Sequence, residues 1–425
     1  MESEKVPCKT EGCNAKILEI TAKKTGGYCY PCYRKIEARE REEYIRKNRK
    51  DVNLYEGIIE PIEIIKIMHS DKKYNPLIRY IPYEKTLEEM YNLISDENIE
   101  ELKEYSMELY DSGNDTWENI LLNLLCLRDA NIDECLKVLV RDECYYPQEL
   151  FKGASKEVRD LILNQLELEE NKTDINHILM ALAWIGDDKV VEIFNNWKKQ
   201  EPNFSKVLYV PAHEYSYEAG WKLDSNGNKR DLFFKECYGV KVGQHKKEDS
   251  VSFIEKHNGK CKWCGRNLNS LLKVDLNDEK MKFLEIEGKT LNLVTCDNCA
   301  CYGNVYMDVD FYGRSRWSSY NITPEYLPKD IDLEDYDYDK SICIEDEIKN
   351  KNYGISQFVE GYKSKIGGLP TWIQDAEYPK CPKCGEDMIF IGQVSMEDVM
   401  EYGEGIYYGF LCKECKITGT AYQQT

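Results

Sequence analysis

Between Asp115 and Trp197 apolar positions recur every three or four residues, the period of a helix with one buried face. Trp117, Ile120, Leu121, Leu124 and Leu125 mark the first such face, with Asp115 and Glu118 spaced as a capping start. Ser155 precedes a second, carrying Val158, Leu161, Ile162 and Leu166. Ile178, Leu179, Leu182 and Ile185 mark a third, with His177 as its starting residue, and Val190, Val191, Phe194 and Trp197 a fourth. Gly186-Asp187-Asp188 is a short turn between the last two, so that pair reads as one HEAT-like repeat in an irregular helical array. After Glu201-Pro202-Asn203 the pattern changes to short β-like runs, frequent glycines and turn signals such as Asn226-Gly227.

A chain of 425 residues with 42% hydrophobic side chains exceeds one core and argues against global disorder. No apolar run approaches the roughly 20 residues that span a bilayer. The acidic start Met1-Glu2-Ser3-Glu4-Lys5 lacks the apolar region of a secretory signal, so the expected location is cytoplasmic. Net charge is −20, yet the first 50 residues hold 13 basic and 8 acidic side chains and carry +5. Bulk charge of this sign repels nucleic acid and anionic membrane and attracts basic partners. The densest acid run, Asp330, Asp332, Glu334, Asp335, Asp337, Asp339, Glu345, Asp346 and Glu347, reads as an exposed linker face at a domain seam.

The 18 cysteines change the picture most. Twelve fall into pairs with metal spacing: Cys8-x4-Cys13 with Cys29-x2-Cys32, Cys261-x2-Cys264 with Cys296-x2-Cys299, and Cys381-x2-Cys384 with Cys412-x2-Cys415. A short gap in a tight knuckle points two thiolates at one ion, and two knuckles complete a tetrahedron. Soft thiolates in two distant knuckles favour Zn2+ over an iron–sulfur cluster, and four of them leave no open position for water. Three structural Zn2+ sites are therefore expected, each adding −2 and taking the folded charge to about −26. Cys126, Cys135, Cys144, Cys237 and Cys343 have no pairing pattern and read as core thiols; Cys301 competes in spacing with Cys299. Around the first set, Gly26-Gly27 predicts a turn and the residues from Tyr33 to Lys50 a charged helix. Knuckle, hairpin, and knuckle opening a helix is a treble-clef order. Arg34, Lys35, Arg39, Arg41, Arg46, Lys47, Arg49 and Lys50 on that helix suit phosphates; Glu37, Glu40, Glu42 and Glu43 among them favour internal ion pairs instead.

The second and third cysteine sets align with each other. A shift of 120 residues places Cys261, Cys264 and Gly265 on Cys381, Cys384 and Gly385, and Leu268, Leu271, Val274 and Leu276 on Met388, Ile391, Val394 and Met396. The second knuckles align after a four-residue gap. The predicted organisation is α+β and multidomain: a treble-clef-like finger with charged helix at 1–50, a helical domain at 51–203, a connecting β/turn segment at 204–250, and two related zinc-stapled β-modules at 251–340 and 341–425. Ser364-Lys365-Ile366-Gly367-Gly368-Leu369-Pro370-Thr371-Trp372, then Pro379-x-Cys381-Pro382-x-Cys384-Gly385, Phe390-x-x-Gln393-Val394 and Ile406-Tyr407-Tyr408-x-Phe410-x-Cys412-x-x-Cys415 resemble the programmed cell death protein 2 family and bacterial YwqG-like proteins of unknown function. The resemblance covers at most the last 175 or so residues, and implies a duplicated β protein that chaperones a basic ribosomal protein without catalysis.

Enzyme readings find little to stand on. Lys256-His257-Asn258-Gly259-Lys260-Cys261 with the Cys296 knuckle is similar to an HNH nuclease frame, but no histidine lies between Cys264 and Cys296 to act as base. The five histidines, His69, His177, His213, His245 and His257, form no close pair, and phosphate-loop, dinucleotide and nucleophile-elbow motifs are missing. Of the many aromatic side chains, Tyr302, Tyr306, Trp317 and Trp372 near the cysteine sets are candidate interface anchors, Trp372 equally a core residue under Gly367-Gly368. The expected function is that of a non-enzymatic bacterial zinc protein binding a basic client, a ribosomal protein or a toxin for which it serves as immunity protein. The alternatives are a nucleic-acid-associated protein working through residues 1–50, and a nuclease or hydrolase with an unrecognised site.

Overall fold

The computed structural model describes residues 5–167, 169, 171–244, 249–329, 334 and 336–425. Asp330, Asp332 and Asp335 of the acid run, and His245, lie outside the described residues. The chain divides into two compact units between Lys85 and Thr86, rather than at residue 50 or at residue 203.

In the first unit, β1 (Lys5–Pro7) and β2 (Lys16–Leu18) pair antiparallel and the first knuckle forms their turn. α1 (Glu19–Thr25) follows, and the Gly26-Gly27 turn leads into α2 (Tyr30–Asn48), which starts on the second knuckle with Cys29 as N-cap and Pro31 in its first turn. The expected order is thus altered: the first knuckle lies inside the hairpin, and a short helix fills the gap to the second. Cys8, Ile17 and Cys29 form the finger's small core. β3 (Lys50–Val52) pairs in parallel with β4 (Ile78–Tyr80), and α3 (Pro61–His69) provides the crossover that parallel strands require.

The second unit opens with α4 (Leu87–Leu93), α5 (Asp96–Asp111), α6 (Thr116–Arg128), α7 (Asp133–Arg141), α8 (Lys156–Leu166), α9 (Lys172–Ile185) and α10 (Asp188–Lys199). Of the four predicted faces, Ile120, Leu121, Leu124, Val158, Ile162, Ile178, Leu179, Leu182, Val190 and Phe194 are buried, while Leu161, Val191 and Trp197 are half-buried. Asp115 is the N-cap of α6 as expected, but its side chain makes no cap bond, and Asn114 receives the Thr116 N–H instead. Complete capping boxes stand at Thr86 with Glu89 and at Ser95 with Asn98. His177 lies inside α9, whose N-cap is Asn171.

The strands are β5 (Trp221–Leu223), β6 (Lys229–Asp231), β7 (Phe234–Val242), β8 (Val251–Lys260), β9 (Asn267–Asp275), β10 (Thr290–Thr295), β11 (Val305–Val309), β12 (Ser315–Trp317), β13 (Ile342–Ile344), β14 (Lys365–Gly368) and β15 (Ile389–Ser395), then α11 (Met396–Val399), β16 (Ile406–Cys412) and β17 (Ile417–Gln423). Eight of them form one antiparallel sheet in the order β12-β11-β17-β16-β15-β14-β7-β13, and β10-β9-β8 form a second. Two expectations are corrected here. The segment 204–250 is no mere connection, because β7 pairs on both edges inside the large sheet. The boundary at residue 340 does not separate two sheets, because β11 pairs with β17 across it. The acid run likewise includes structure: β13 pairs with β7, and Asp346 meets Lys241 and Lys280. Helices and strands of this unit share contacts throughout. The Trp221 ring packs 5.5 Å from Phe194 and donates to the Ala183 carbonyl, and Lys349 bridges Glu88 and Glu345 at 2.7 Å each.

The duplication is written into the hydrogen-bond register. Six pairs join β9 to β10, from Asp275 with Thr290 to Asn269 with Thr295, and six join β15 to β16, from Ser395 with Ile406 to Ile389 with Leu411. Adding 120 to the first strand and 116 to the second converts every pair of one set into a pair of the other. The bulge is carried over too, since the ladder skips Leu271 in one copy and Ile391 in the other. After the second knuckle the copies part, β17 continuing its own meander while β11 leaves β10 and joins the large sheet. At one matched position the copies have become complementary. Leu272 and Leu293 face each other in the first copy, and Gly392 and Gly409 in the second. A Cβ on Gly409 would meet Leu293 Cδ2 at 2.6 Å, and one on Gly392 would meet Leu272 Cδ1 at 3.1 Å, so the leucine pair fills the hollow left by the glycine pair.

Candidate metal centres

Each set of four predicted cysteines comes together. The Sγ atoms of Cys8, Cys13, Cys29 and Cys32 lie within 4.8 Å of one another, as do those of Cys261, Cys264, Cys296 and Cys299, and of Cys381, Cys384, Cys412 and Cys415. Neighbouring sulfurs stand 3.7 Å apart for Cys13 and Cys29, 3.7 Å for Cys261 and Cys299, 3.5 Å for Cys264 and Cys296, and 3.8 Å for Cys384 and Cys412. A regular tetrahedron with metal–sulfur bonds of about 2.3 Å has edges of about 3.8 Å, whereas a disulfide would need about 2.05 Å. All eighteen cysteines are free thiols. The three clusters could hold metal ions, and the donor chemistry and spacing fit a tetrahedral soft-ligand site.

The knuckles form for a local reason that the two C-terminal sets share. In the first knuckle of each, the chain turns back through Gly265 (φ +83°) or Gly385 (φ +79°), a left-handed conformation that a side chain would strain. The N–H of that glycine donates to the Cys261 or Cys381 carbonyl, at 3.0 and 2.8 Å. Lys260 pairs with Asn267, and Lys380 with Asp387, closing the two turns identically.

One sulfur in each cluster is shifted toward the thiolate. Backbone N–H groups of Cys29 and Thr10 bring Cys8 down to about 6. The thiols of Cys296 and Cys299 hold Cys261 well below the ordinary thiol range, and the backbone of Glu386 lowers Cys384. The companions shift the other way: Cys296 is pushed up by Cys261 and Cys299, and Cys412 by burial. Four sulfurs so close do not all ionise without a cation among them, so metal uptake releases protons.

A polar group behind the middle cluster escaped the sequence reading. Asp297, inside the second knuckle, is buried; its carboxylate accepts from Asn269 Nδ2 and Tyr338 Oη at 2.8 Å each and faces buried Arg266 at 3.9 Å. Tyr407 Oη donates to the Asp297 carbonyl, so a strand of the other copy helps set the knuckle. The matched positions carry the opposite signs, Glu386 for Arg266 and Lys413 for Asp297, and Glu386 pairs outward with Lys222 at 3.0 Å. Cys301 stays out of the cluster, with its Sγ 3.4 Å from the Asp297 carbonyl. Cys126, Cys135 and Cys237 are buried, Cys144 and Cys343 partly so.

Of the proposed anchors, Trp372 packs with Tyr408 at 4.6 Å and with Tyr378 at 5.3 Å, a core position. Trp317 packs edge-on against Trp263 at 5.2 Å, while Tyr302 is exposed. His257 accepts the Gly259 N–H through Nδ1. Among the described residues no helix is long and apolar enough to cross a membrane.

No family model and no solved structure matches the chain. It is 35% identical over 431 aligned positions to the Uncharacterized protein YpfL of Salmonella typhimurium strain LT2, across 99% of this chain and 100% of that one. With three four-cysteine clusters and a full-length relative at that identity, the chain belongs to the YpfL family.

Proposed function

We propose that the protein is a non-enzymatic zinc protein whose second unit binds a basic client, in the manner of a chaperone or an immunity protein. Zn2+ suits all three clusters because it is redox-silent and accepts four thiolates in a closed tetrahedron. The resemblance of residues 364–425 to the programmed cell death protein 2 family belongs to the same reading, as do the HEAT-like pairing of α9 with α10 and a cytoplasmic location.

The observation that carries the proposal is a cavity of about 510 Å3 walled by tyrosines and carboxylates, whose lining also includes Lys380 and an Asp387 already paired with Lys222. Tyr209, Tyr217 and Tyr378 supply aromatic faces, and Glu214, Glu218 and Asp375 the charge. None of those three carboxylates makes an ion pair with a described residue. Burial, then the neighbouring Asp375, push Glu218 up to about 7, partly offset by the N–H of Ala376 that it accepts. The chain's own Lys172 stands 4.1 Å from the centre of the Tyr209 ring, the kind of cation–ring contact that a client lysine would make with the other tyrosines. The unit around the cavity holds 39 basic and 63 acidic side chains, a charge of −24 that would draw in a basic partner and chiefly raise its on-rate.

The test is capture from the native host with tagged, zinc-loaded protein at low and moderate salt, beside a Glu218→Gln, Asp375→Asn variant. A basic protein recovered near stoichiometrically by the native chain, lost as salt rises and depleted by the variant, is the expected result. A client that binds the variant equally well sinks the role of the cavity, and recovery of no basic protein at either salt sinks the function.

A further inference from the structure

The charged helix of the first unit does not do what its sequence suggests. α2 has no buried residue along its 19 positions, and only one ion pair forms within it, Lys47 with Glu43 at 2.7 Å. Arg34, Lys35, Arg39, Arg41 and Arg46 are exposed and make no ion pair or hydrogen bond with a described residue. At about 100° per residue these five cations fall within one half of the helix circumference, with Glu42 the one acid among them. Glu37, Glu40, Glu43 and Lys47 occupy the other half. Glu37, Glu42 and Glu43 stand three or four residues from Arg34, Arg39, Arg41 and Arg46, yet none of these acids pairs with those four arginines, and the cations stay free for a partner.

We infer that this face of α2 is a nucleic-acid-binding surface that contacts the phosphate backbone. Three properties select the partner. Along the i, i+4 rows of α2 apolar residues give way to charged ones, as in Tyr33-Glu37-Arg41 and Ile36-Glu40-Tyr44, so it lacks the apolar stripe that a membrane-surface helix or a helix seated in a protein groove needs. A phosphate backbone requires only cations at suitable spacing. From Arg34 to Arg46 the helix rises about 18 Å, over which a duplex presents on the order of ten phosphates. The second knuckle fixes the start of the helix, since Cys29 is its N-cap and Cys32 lies in its first turn, so a filled metal cluster holds the face in place. The unit as a whole carries 18 basic and 14 acidic side chains, +4.

The experiment uses the full-length, metal-loaded chain and fluorescein-labelled duplex DNA and single-stranded RNA of about twenty units, with anisotropy read across a salt series. Five phosphate contacts give a slope of log K against log salt of roughly −4.5 for the duplex and −3.5 for the single strand, and the tracer bound more tightly at matched salt identifies the source. The variant Lys35→Ala, Arg39→Ala, Arg46→Ala keeps a good helix former at each site, and is expected to lose about three units of slope and at least tenfold in affinity at low salt. Glu40→Gln, on the other half, is expected to bind like the native chain. An unchanged metal content in the triple variant shows that the finger is intact. The inference is overturned if neither tracer binds at low salt, if the triple variant binds like the native chain, or if a polyglutamate chain competes as well as nucleic acid does, which would point to an acidic protein instead.

Discussion

Lys365 offers a quantitative test of how the large sheet is held. It is fully buried in β14, where its Nζ donates to the Gly354 carbonyl and, at 2.9 Å, to Thr371 Oγ1. Burial pushes its pKa down to about 8, against a weaker opposite pull from the Cys237 and Cys126 thiols. An unfolded lysine titrates near 10.4, so between these values the unfolded chain holds a proton that the folded chain has released. Stability therefore rises with pH through that window, by about 2 kcal/mol between pH 7.5 and pH 9.5. Lys365→Met keeps the volume and removes the titration. Urea unfolding of both metal-loaded proteins at the two pH values, followed by tryptophan fluorescence, gives a double difference in which other titrating groups cancel. The native protein is expected to gain about 2 kcal/mol relative to the variant on going to the higher pH. Parallel pH dependences, with a double difference under about 0.5 kcal/mol, would refute a buried ammonium at this position.

Other consequences are equally direct. Cys384→Ser and Cys264→Ser are each expected to lower bound zinc by one equivalent, read by elemental analysis, with new proteolytic cleavage confined to the altered knuckle. Gly392→Ala brings a Cβ to 2.6 Å from the Lys365 carbonyl oxygen, and Gly409→Ala brings one to 2.6 Å from Leu293 Cδ2. Each should cost about 1–3 kcal/mol in denaturant unfolding, and Leu293→Ala should rescue only the second, because a backbone carbonyl cannot be trimmed. Client capture through the tyrosine-walled cavity should weaken as pH falls from 8 to 6, because Glu218, raised to about 7, is charged above that value and neutral below it; an unchanged yield in Glu218→Gln across the same range checks the assignment.

What the sequence made legible was what repeats or what is local. The twelve ligand positions follow from spacing alone, and the shift of 120 residues anticipated a register that the strands keep pair by pair. The turn at Gly186 is likewise local chemistry, although the cap that Asp187 adds by accepting the Val190 N–H at 3.0 Å was not anticipated. Membership of the large sheet was not legible: β7 pairs with β13 and β14, each more than 90 residues away, and no pattern within β7 names a partner so distant. Of the ion pairs expected along α2 only Lys47 with Glu43 forms, although Glu37, Glu42 and Glu43 have arginines three and four residues away; exposed pairs of this kind gain little over hydration of the separate charges. The Arg266–Asp297 contact was hidden because it joins residues 31 positions apart, and Tyr338, which also bonds Asp297, belongs to neither knuckle.

The leucine and glycine pairs of the two copies have made the duplication irreversible. Two copies of the first kind would collide at four leucines, and two of the second would enclose a void. Neither pair can revert alone, and recombination that deletes one repeat leaves the survivor without a match. The same asymmetry makes each half selective for the other: the surface bearing Leu272 and Leu293 is a plug whose socket is at Gly392 and Gly409.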